Sequence, residues 1–220
     1  MTREEDLEAT LKALFDAERG VRRAHDTLVD AEPTRCIAVL ERAARQALAL
    51  DELDEDEASL RLVRIAAVLG EMQGSRVVDL LIDVLGSDEP EARHAAGEAL
   101  SGISFDRFKD VALGVERALD RLPDGNPALA ELPYLLAEVP EPGVFKLLDQ
   151  FLRHHDADAV AAAIEALVDM GDASAVALIE PLVTDTRRVE LEGEAGAEAE
   201  ASLGELAIEA LGILGKRGST

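Results

Sequence analysis

Asp88-Glu89-Pro90-Glu91-Ala92-Arg93-His94-Ala95-Ala96-Gly97-Glu98-Ala99-Leu100 is the stretch that decides the fold. Asp88 followed three residues later by Glu91 reads as a capping box, with Pro90 in the first turn where a missing N–H costs nothing. Small and apolar residues follow up to Leu100, and Gly102 breaks the pattern. A second apolar pattern then runs through Val111, Val115 and Leu119 at helical spacing. The reading is a pair of helices joined by a short turn.

Working outward, the same pair recurs. Asn126-Pro127 opens another copy as a cap with proline at the first helical position. That copy carries Leu132, Leu135 and Leu136, turns at Glu141-Pro142-Gly143, and continues through Val144, Leu147, Leu148 and Phe151. Ala166, Val176 and Ile179 overlay Ala67, Val77 and Leu80 at a separation of 99 residues, three periods of about 33. A period of that size made of two helical patterns predicts an all-α chain of stacked antiparallel helix pairs, an α-solenoid of about twelve helices.

The ends are less regular. Leu28, Ile37 and Leu40 overlay Val68, Val77 and Leu80, which places a degenerate first repeat and N-terminal helices in residues 1–56. A terminal helix with Leu7, Leu11, Leu14 and Phe15 precedes it, and the acidic run from Asp51 to Glu57 is the connector. Residues 57–220 then form the repeats, one domain with the preceding segment. Ala210-Leu211 overlays Ala166-Leu167 with a surplus over the period, which assigns the glutamate- and glycine-bearing stretch at 190–201 to an acidic inserted loop.

Composition narrows the function. The formal charge is -24, from 46 acidic and 22 basic residues. Nucleic-acid affinity rests on Lys and Arg displacing counterions from phosphates, so neither nucleic acid nor an anionic membrane surface is an expected ligand. No apolar run reaches the length of a bilayer span, and the first residues are acidic where a secretory signal would be basic and then apolar. A cytoplasmic location is expected. Cys36, the single cysteine, lies in an apolar helical run and reads as core. Four Lys against eighteen Arg fits a high-salt cytoplasm or a GC-rich genome equally well.

The Asp88–Leu100 motif, echoed from Asp156 to Leu167 and from Gly171 to Val176, resembles the HEAT-like repeat of phycobilisome lyases. The resemblance covers about residues 57–215 and implies architecture more than activity, since solenoids host many functions. Bilin lyases of this type act as paired subunits that hand a chromophore to an acceptor protein, so a bilin-lyase-like subunit or chromophore chaperone is the alternative function. HEAT-like hydroxylases hold a di-iron centre on recurring His-Glu pairs, and this chain has no His-Glu dipeptide.

Chemistry-bearing clusters are few. His154-His155-Asp156-Ala157-Asp158 has metal-ligand residue types, but adjacent helical side chains diverge by about 100°, and the pattern suits a helix end. The Asp51–Glu57 run lacks the central glycine of a calcium loop. No catalytic residue, metal site or cofactor is expected. The expected function is a non-enzymatic scaffold that binds another protein or peptide, and nothing in the sequence sets the oligomeric state. In resembling solenoids the second helices line the concave face. The contact candidates are therefore Arg76, Asp79, Asp83, Lys109, Glu116, Arg117, Lys146, Asp149, Gln150, Arg153 and Glu180. Of these, Arg76, Arg117, Lys146 and Arg153 stand out as scarce cations in an acidic chain.

Overall fold

The computed structural model describes residues 4–50, 53–192 and 198–217. Among them the chain forms ten α-helices: α1 (Glu4–Val29), α2 (Pro33–Leu48), α3 (Glu55–Gly70), α4 (Ser75–Leu85), α5 (Pro90–Arg121), α6 (Pro127–Ala137), α7 (Gly143–Leu152), α8 (Ala157–Met170), α9 (Ala175–Ile179) and α10 (Leu203–Arg217). A 3-10 helix at Glu180–Thr184 extends α9, and two strands, β1 (Arg188–Glu192) and β2 (Glu198–Ser202), precede α10. Among the described residues the molecule is predominantly helical and has no closed sheet.

The helix starts follow from local chemistry. Asn126 Oδ1 accepts from Ala128 N at 3.0 Å with Pro127 in the first turn, as its sequence predicts. Glu32 caps α2 through bonds from Thr34 N and Arg35 N, and these hold its carboxyl below the usual glutamate range. Asp54 caps α3 by accepting from Glu57 N at 2.8 Å. The acidic run is therefore in part the first turn of α3, which places Glu55 to Glu57 inside a helix; Asp51 and Glu52 lie outside the described residues. The expected Asp88 box does not form. Glu89 is the cap residue of α5 and makes no side-chain capping bond.

Ten helices stand against the twelve or so expected, but the pair expected between Pro90 and Leu119 is present, as two helical segments joined at a kink within α5. It bends at Arg107 (φ -140°, ψ 47°). Two contacts account for the bend. Ser104 Oγ back-bonds to Leu100 O at 2.7 Å, which loosens a helix, and Arg107 Nη2 donates to Met72 O at 3.0 Å, drawing the bend onto the end of α3. The N-terminal half of α5 thus packs on α3 and α6, and its C-terminal half on α4 and α7.

The helices fall into two rows. One row is α3, the first half of α5, α6, α8 and α10; the other is α2, α4, the second half of α5, α7 and α9. The apolar core runs between them, with Leu62, Leu69, Leu81, Ile82, Leu100, Leu132, Leu148, Phe151, Ile164 and Leu167 fully buried. Small residues set the closest approaches. A Cβ on Gly70 would meet Ala99 Cβ at 3.2 Å, and a Cβ on Gly114 would lie 2.3 Å from Val78 Cγ1. Val78 is fully buried and stiff at χ1, so it cannot swing away. Gly114→Ala is expected to force α4 and α5 apart and cost about 1–3 kcal/mol, despite the better helix propensity of alanine. A urea midpoint equal to or above wild type would show that Val78 yields.

The C-terminal region departs from expectation. Most of the described part of the expected 190–201 loop is strand: an antiparallel hairpin forms in the register Arg188↔Ser202, Val189↔Ala201, Glu190↔Glu200, Leu191↔Ala199 and Glu192↔Glu198, while 193–197 lie outside the described residues. Composition opposes strands here, since Glu and Ala are poor strand formers. The hairpin is anchored instead. Val189 is buried in the core beside α8, and Ser202 and Glu205 form a reciprocal capping box on α10, with Ser202 N to Glu205 Oε2 at 2.8 Å and Glu205 N to Ser202 Oγ at 3.2 Å.

Arg187 ties the base of the hairpin to the preceding turn. Its Nη1 donates to His154 O at 2.7 Å and His155 O at 3.1 Å, and its Nη2 bonds Asp185 Oδ2 at 2.6 Å. The hydrogen bonds from the Arg187 side chain, followed by its backbone N–H, hold the Asp185 carboxyl below the ordinary aspartate value of 3.8. Arg76 does the same for Glu41, whose ordinary value is 4.5. In both cases the folded value lies below the unfolded one, so the stabilisation is complete above the ordinary value and is lost as pH falls through the folded value. Asp158, raised by burial and then by Asp156 and Glu190, acts in the opposite sense. Asp185→Asn is therefore expected to flatten the loss of melting temperature below pH 3.8. Acid curves of equal slope for the two proteins would contradict this.

Candidate partner-binding face

The row of α2, α4, the second half of α5 and α7 carries most of the residues expected to meet a partner, and the structure joins many of them to each other. Arg76 on α4 bonds Glu41 on α2 and stands 3.9 Å from Asp79. Asp79, nearly buried, accepts from Arg117 on α5 through Nε at 3.0 Å and Nη2 at 2.7 Å. Asp83 pairs with Arg121 at 2.5 Å, and Arg121 also donates to Asp79 O at 3.2 Å. Gln150 on α7 donates to Glu116 on α5 at 3.3 Å. Asp149 on α7 pairs with Arg153, the residue that follows the helix, at 2.7 Å.

These bonds change the meaning of the candidates. Arg76 and Arg117 lace neighbouring helices together, and Asp79 and Asp83 are their internal partners. Lys109 and Lys146 are exposed and form no ion pair among the described residues, and Arg153 is exposed with only a local partner. Glu180 sits at the start of the 3-10 helix, exposed and outside the lacing. Glu41, Arg45 and Arg121 belong to the network although the sequence did not single them out. The signal for Glu41 and Arg45 was present as an i,i+4 pair, 2.8 Å apart.

A groove of about 320 Å³ lies between α2 and α4, lined by Glu41, Arg45, Leu48, Arg76, Leu80 and Asp83. A larger one of about 610 Å³ lies in the other row, where Glu98, Glu131 and Glu138 face Arg93, His94 and Ser101. The two rows differ in charge type. Helices α3, α6, α8, α10 and the first half of α5 carry five Lys or Arg against twelve Asp or Glu, whereas α2, α4, the second half of α5 and α7 carry Arg35, Arg42, Arg45, Arg76, Lys109, Arg117, Arg121 and Lys146 against seven Asp or Glu, with Arg153 just beyond α7. The row of α2, α4, the second half of α5 and α7 is thus close to charge balance in an otherwise acidic protein.

The His154–Asp158 cluster is a structural joint. His154 is buried, its Nε2 meets Leu119 O at 3.2 Å, and its Nδ1 accepts from Asp156 N at 3.1 Å, an arrangement that puts the proton on Nε2. Asp156 accepts from Asp158 N at 2.9 Å, Ala159 N at 3.1 Å and Gly125 N at 2.6 Å. His155 pairs with Asp124. Among the described residues no group of three His, Cys, Asp or Glu side chains is placed to hold a metal ion, and no helix is long and apolar enough to cross a membrane. Cys36 is buried, and burial raises its thiol pKa.

No family model matches the chain, and no curated protein matches it. Two solved structures are similar at low level. An engineered protein, Northeast Structural Genomics Consortium target OR329, is 18% identical over 90% of this chain and 90% of that one, with a TM-score of 0.35. Human deoxyhypusine hydroxylase in complex with glycerol is 18% identical over 94% of this chain and 98% of that one, with a TM-score of 0.28. Both scores are too low for either likeness to bear on this chain.

Proposed function

We propose that this chain is a non-enzymatic interaction scaffold, a HEAT-like α-solenoid that takes a protein or peptide partner along α2, α4, the second half of α5 and α7. The carrying observation is the balance of cations and carboxylates on that row in a chain of net charge -24. Lys109 and Lys146 are available to a partner's carboxylates, Arg153 is held only by Asp149 four residues before it, and the Arg76–Glu41 and Arg117–Asp79 pairs hold neighbouring helices of the row together. Support for the solenoid comes from the spacing of cross-links: Arg76–Glu41, Arg117–Asp79, Gln150–Glu116 and Arg187–His154 join residues 35, 38, 34 and 33 apart. Contacts one period away are what a stack of repeats makes.

The test is affinity purification from the native source, comparing wild type with the double variant Lys146→Glu, Arg153→Glu. Both side chains are exposed, so the variant should fold and melt as wild type does. The expected result is a stoichiometric protein partner on the wild type that is lost from the variant. Equal recovery by both, or a chromophore as the only companion, would refute the reading.

A further inference from the structure

The ion pairs that lace the row of α2, α4 and α5 are built in rungs, and one rung is missing. At the junction of α4 and α5, Asp79 and Asp83 stand four residues apart on α4 and receive Arg117 and Arg121, four apart on α5, at 2.7 and 2.5 Å. At the junction of α2 and α4 the same places are held by Glu41 and Arg45 on α2 and by Arg76 and Leu80 on α4. Arg76 bonds Glu41 as Arg117 bonds Asp79, which completes the first rung. The second cannot form, because a guanidinium stands where α4 has a carboxylate and a leucine stands where α5 has an arginine. Arg45 turns back instead onto Glu41, at 2.8 Å.

The gap holds a surplus charge over an apolar floor. Glu41 is shared by two guanidiniums and Asp83 is matched by Arg121, so the carboxylates at the groove between α2 and α4 fall one short of the arginines. Arg45 and Arg76 both bond the same oxygen, Glu41 Oε1, which brings two guanidiniums within reach of one further carboxylate. Each has five N–H groups and, among the described residues, donates one side-chain hydrogen bond. Beside them the groove of about 320 Å³ is floored by Ala44, Leu48 and Leu80. The Arg45 side chain is 70% exposed and Leu48 37%. A surplus cation next to an apolar floor, in a chain of formal charge -24, is complementary to a carboxylate next to an apolar side chain. A partner that also reaches Lys109 and Lys146 crosses the groove with interior residues, so that carboxylate belongs to a side chain and not to a chain end. We infer that the groove between α2 and α4 takes an Asp or Glu side chain of the partner on Arg45 and Arg76, with an adjoining apolar side chain on Ala44, Leu48 and Leu80. The inference rests on the reading of this row as a partner-binding face and gives the partner its chemistry, an acidic segment interleaved with apolar residues.

The test is an NMR titration of the isotope-labelled full chain with the capped dipeptide acetyl-glutamyl-leucinamide. Amide signals of residues 44–49 and 80–83 should shift and saturate, with a dissociation constant on the order of 1 mM, and those around Lys146 should move far less. Acetyl-glutaminyl-leucinamide lacks the charge and acetyl-glutamyl-glycinamide lacks the apolar side chain; each should bind at least about fivefold more weakly. Arg45→Gln should weaken the glutamyl-leucine probe to the same degree while melting as wild type does, since its exposed side chain has only a local partner. Absence of saturable shifts, equal binding of the three dipeptides, shifts spread evenly over the cations of the row, or unchanged binding by Arg45→Gln would each overturn the inference. So would a native partner recovered equally by wild type and Arg45→Gln but lost from Lys146→Glu, Arg153→Glu, a result that keeps the scaffold reading. A wild type that recovers no protein partner fails that reading, while dipeptide binding then leaves the groove's preference for a carboxylate beside an apolar side chain standing.

Discussion

Asp156→Ala is expected to destabilise the protein by about 2–4 kcal/mol, a large share of the stability of an ordinary domain. The carboxylate is only 5% exposed and accepts three backbone N–H groups. Two of them, from Asp158 and Ala159, are first-turn donors of α8 that have no intrahelical partner. The third, from Gly125 at 2.6 Å, belongs to the loop before α6, so one side chain both starts a helix and fastens it to the preceding repeat. Alanine leaves all three donors unsatisfied in a site with little access to water. Asp156→Asn separates the two roles: its amide oxygen keeps the α8 cap, while its NH2 group confronts Gly125 N–H, and the expected loss falls to about half. Urea unfolding of the two variants measures both figures. A loss below about 1 kcal/mol for the alanine variant would mean that water replaces the carboxylate.

A loss of about 3–5 kcal/mol is expected for Phe151→Ala. The chain has five phenylalanines, and only Phe151 is fully buried; Phe15 and Phe105 are exposed, and Phe108 and Phe145 are partly covered. The core around it is made of Ala, Leu, Val and Ile, side chains too short to close over the volume a phenyl ring vacates. The cost therefore combines lost transfer energy with a residual cavity. Phe151→Leu, which keeps most of the volume, is expected to lose less than about 1.5 kcal/mol. Denaturant midpoints should separate the two variants clearly, and similar losses for both would mean that the site collapses around alanine.

Much of the fold was legible from residue patterns. The cap at Asn126-Pro127 forms as read, Cys36 is core, and the apolar positions Val115, Leu119, Leu132, Leu147, Leu148 and Phe151 are buried. The helix-end reading of His154-His155 also agrees with the structure, although His154 turns out to bridge to Leu119 O. The candidate face was legible only in outline. Of its residues Lys109, Lys146 and Arg153 are exposed, Asp79 is buried, and Arg76 and Arg117, singled out as available cations, are occupied by Glu41 and Asp79. A scarce arginine in an acidic chain is the first charge to be claimed internally, and the exposed lysines at 109 and 146 are what remains.

By itself the sequence determined the helical class and the acidic, aromatic-poor character of the chain. Those properties rest on interactions within about four residues along the chain, or on composition alone. Tertiary structure alone decided that the two segments of α5 meet at a kink at Arg107, that the Glu- and Ala-rich segments flanking 193–197 pair as strands, that Leu7, Leu11, Leu14 and Phe15 of α1 are left exposed, and which carboxylate each arginine meets. Each of these depends on how far one helix is rotated and displaced against another some 33 to 38 residues away. A rotation of one residue, about 100° of helix, would have given Arg117 a different partner.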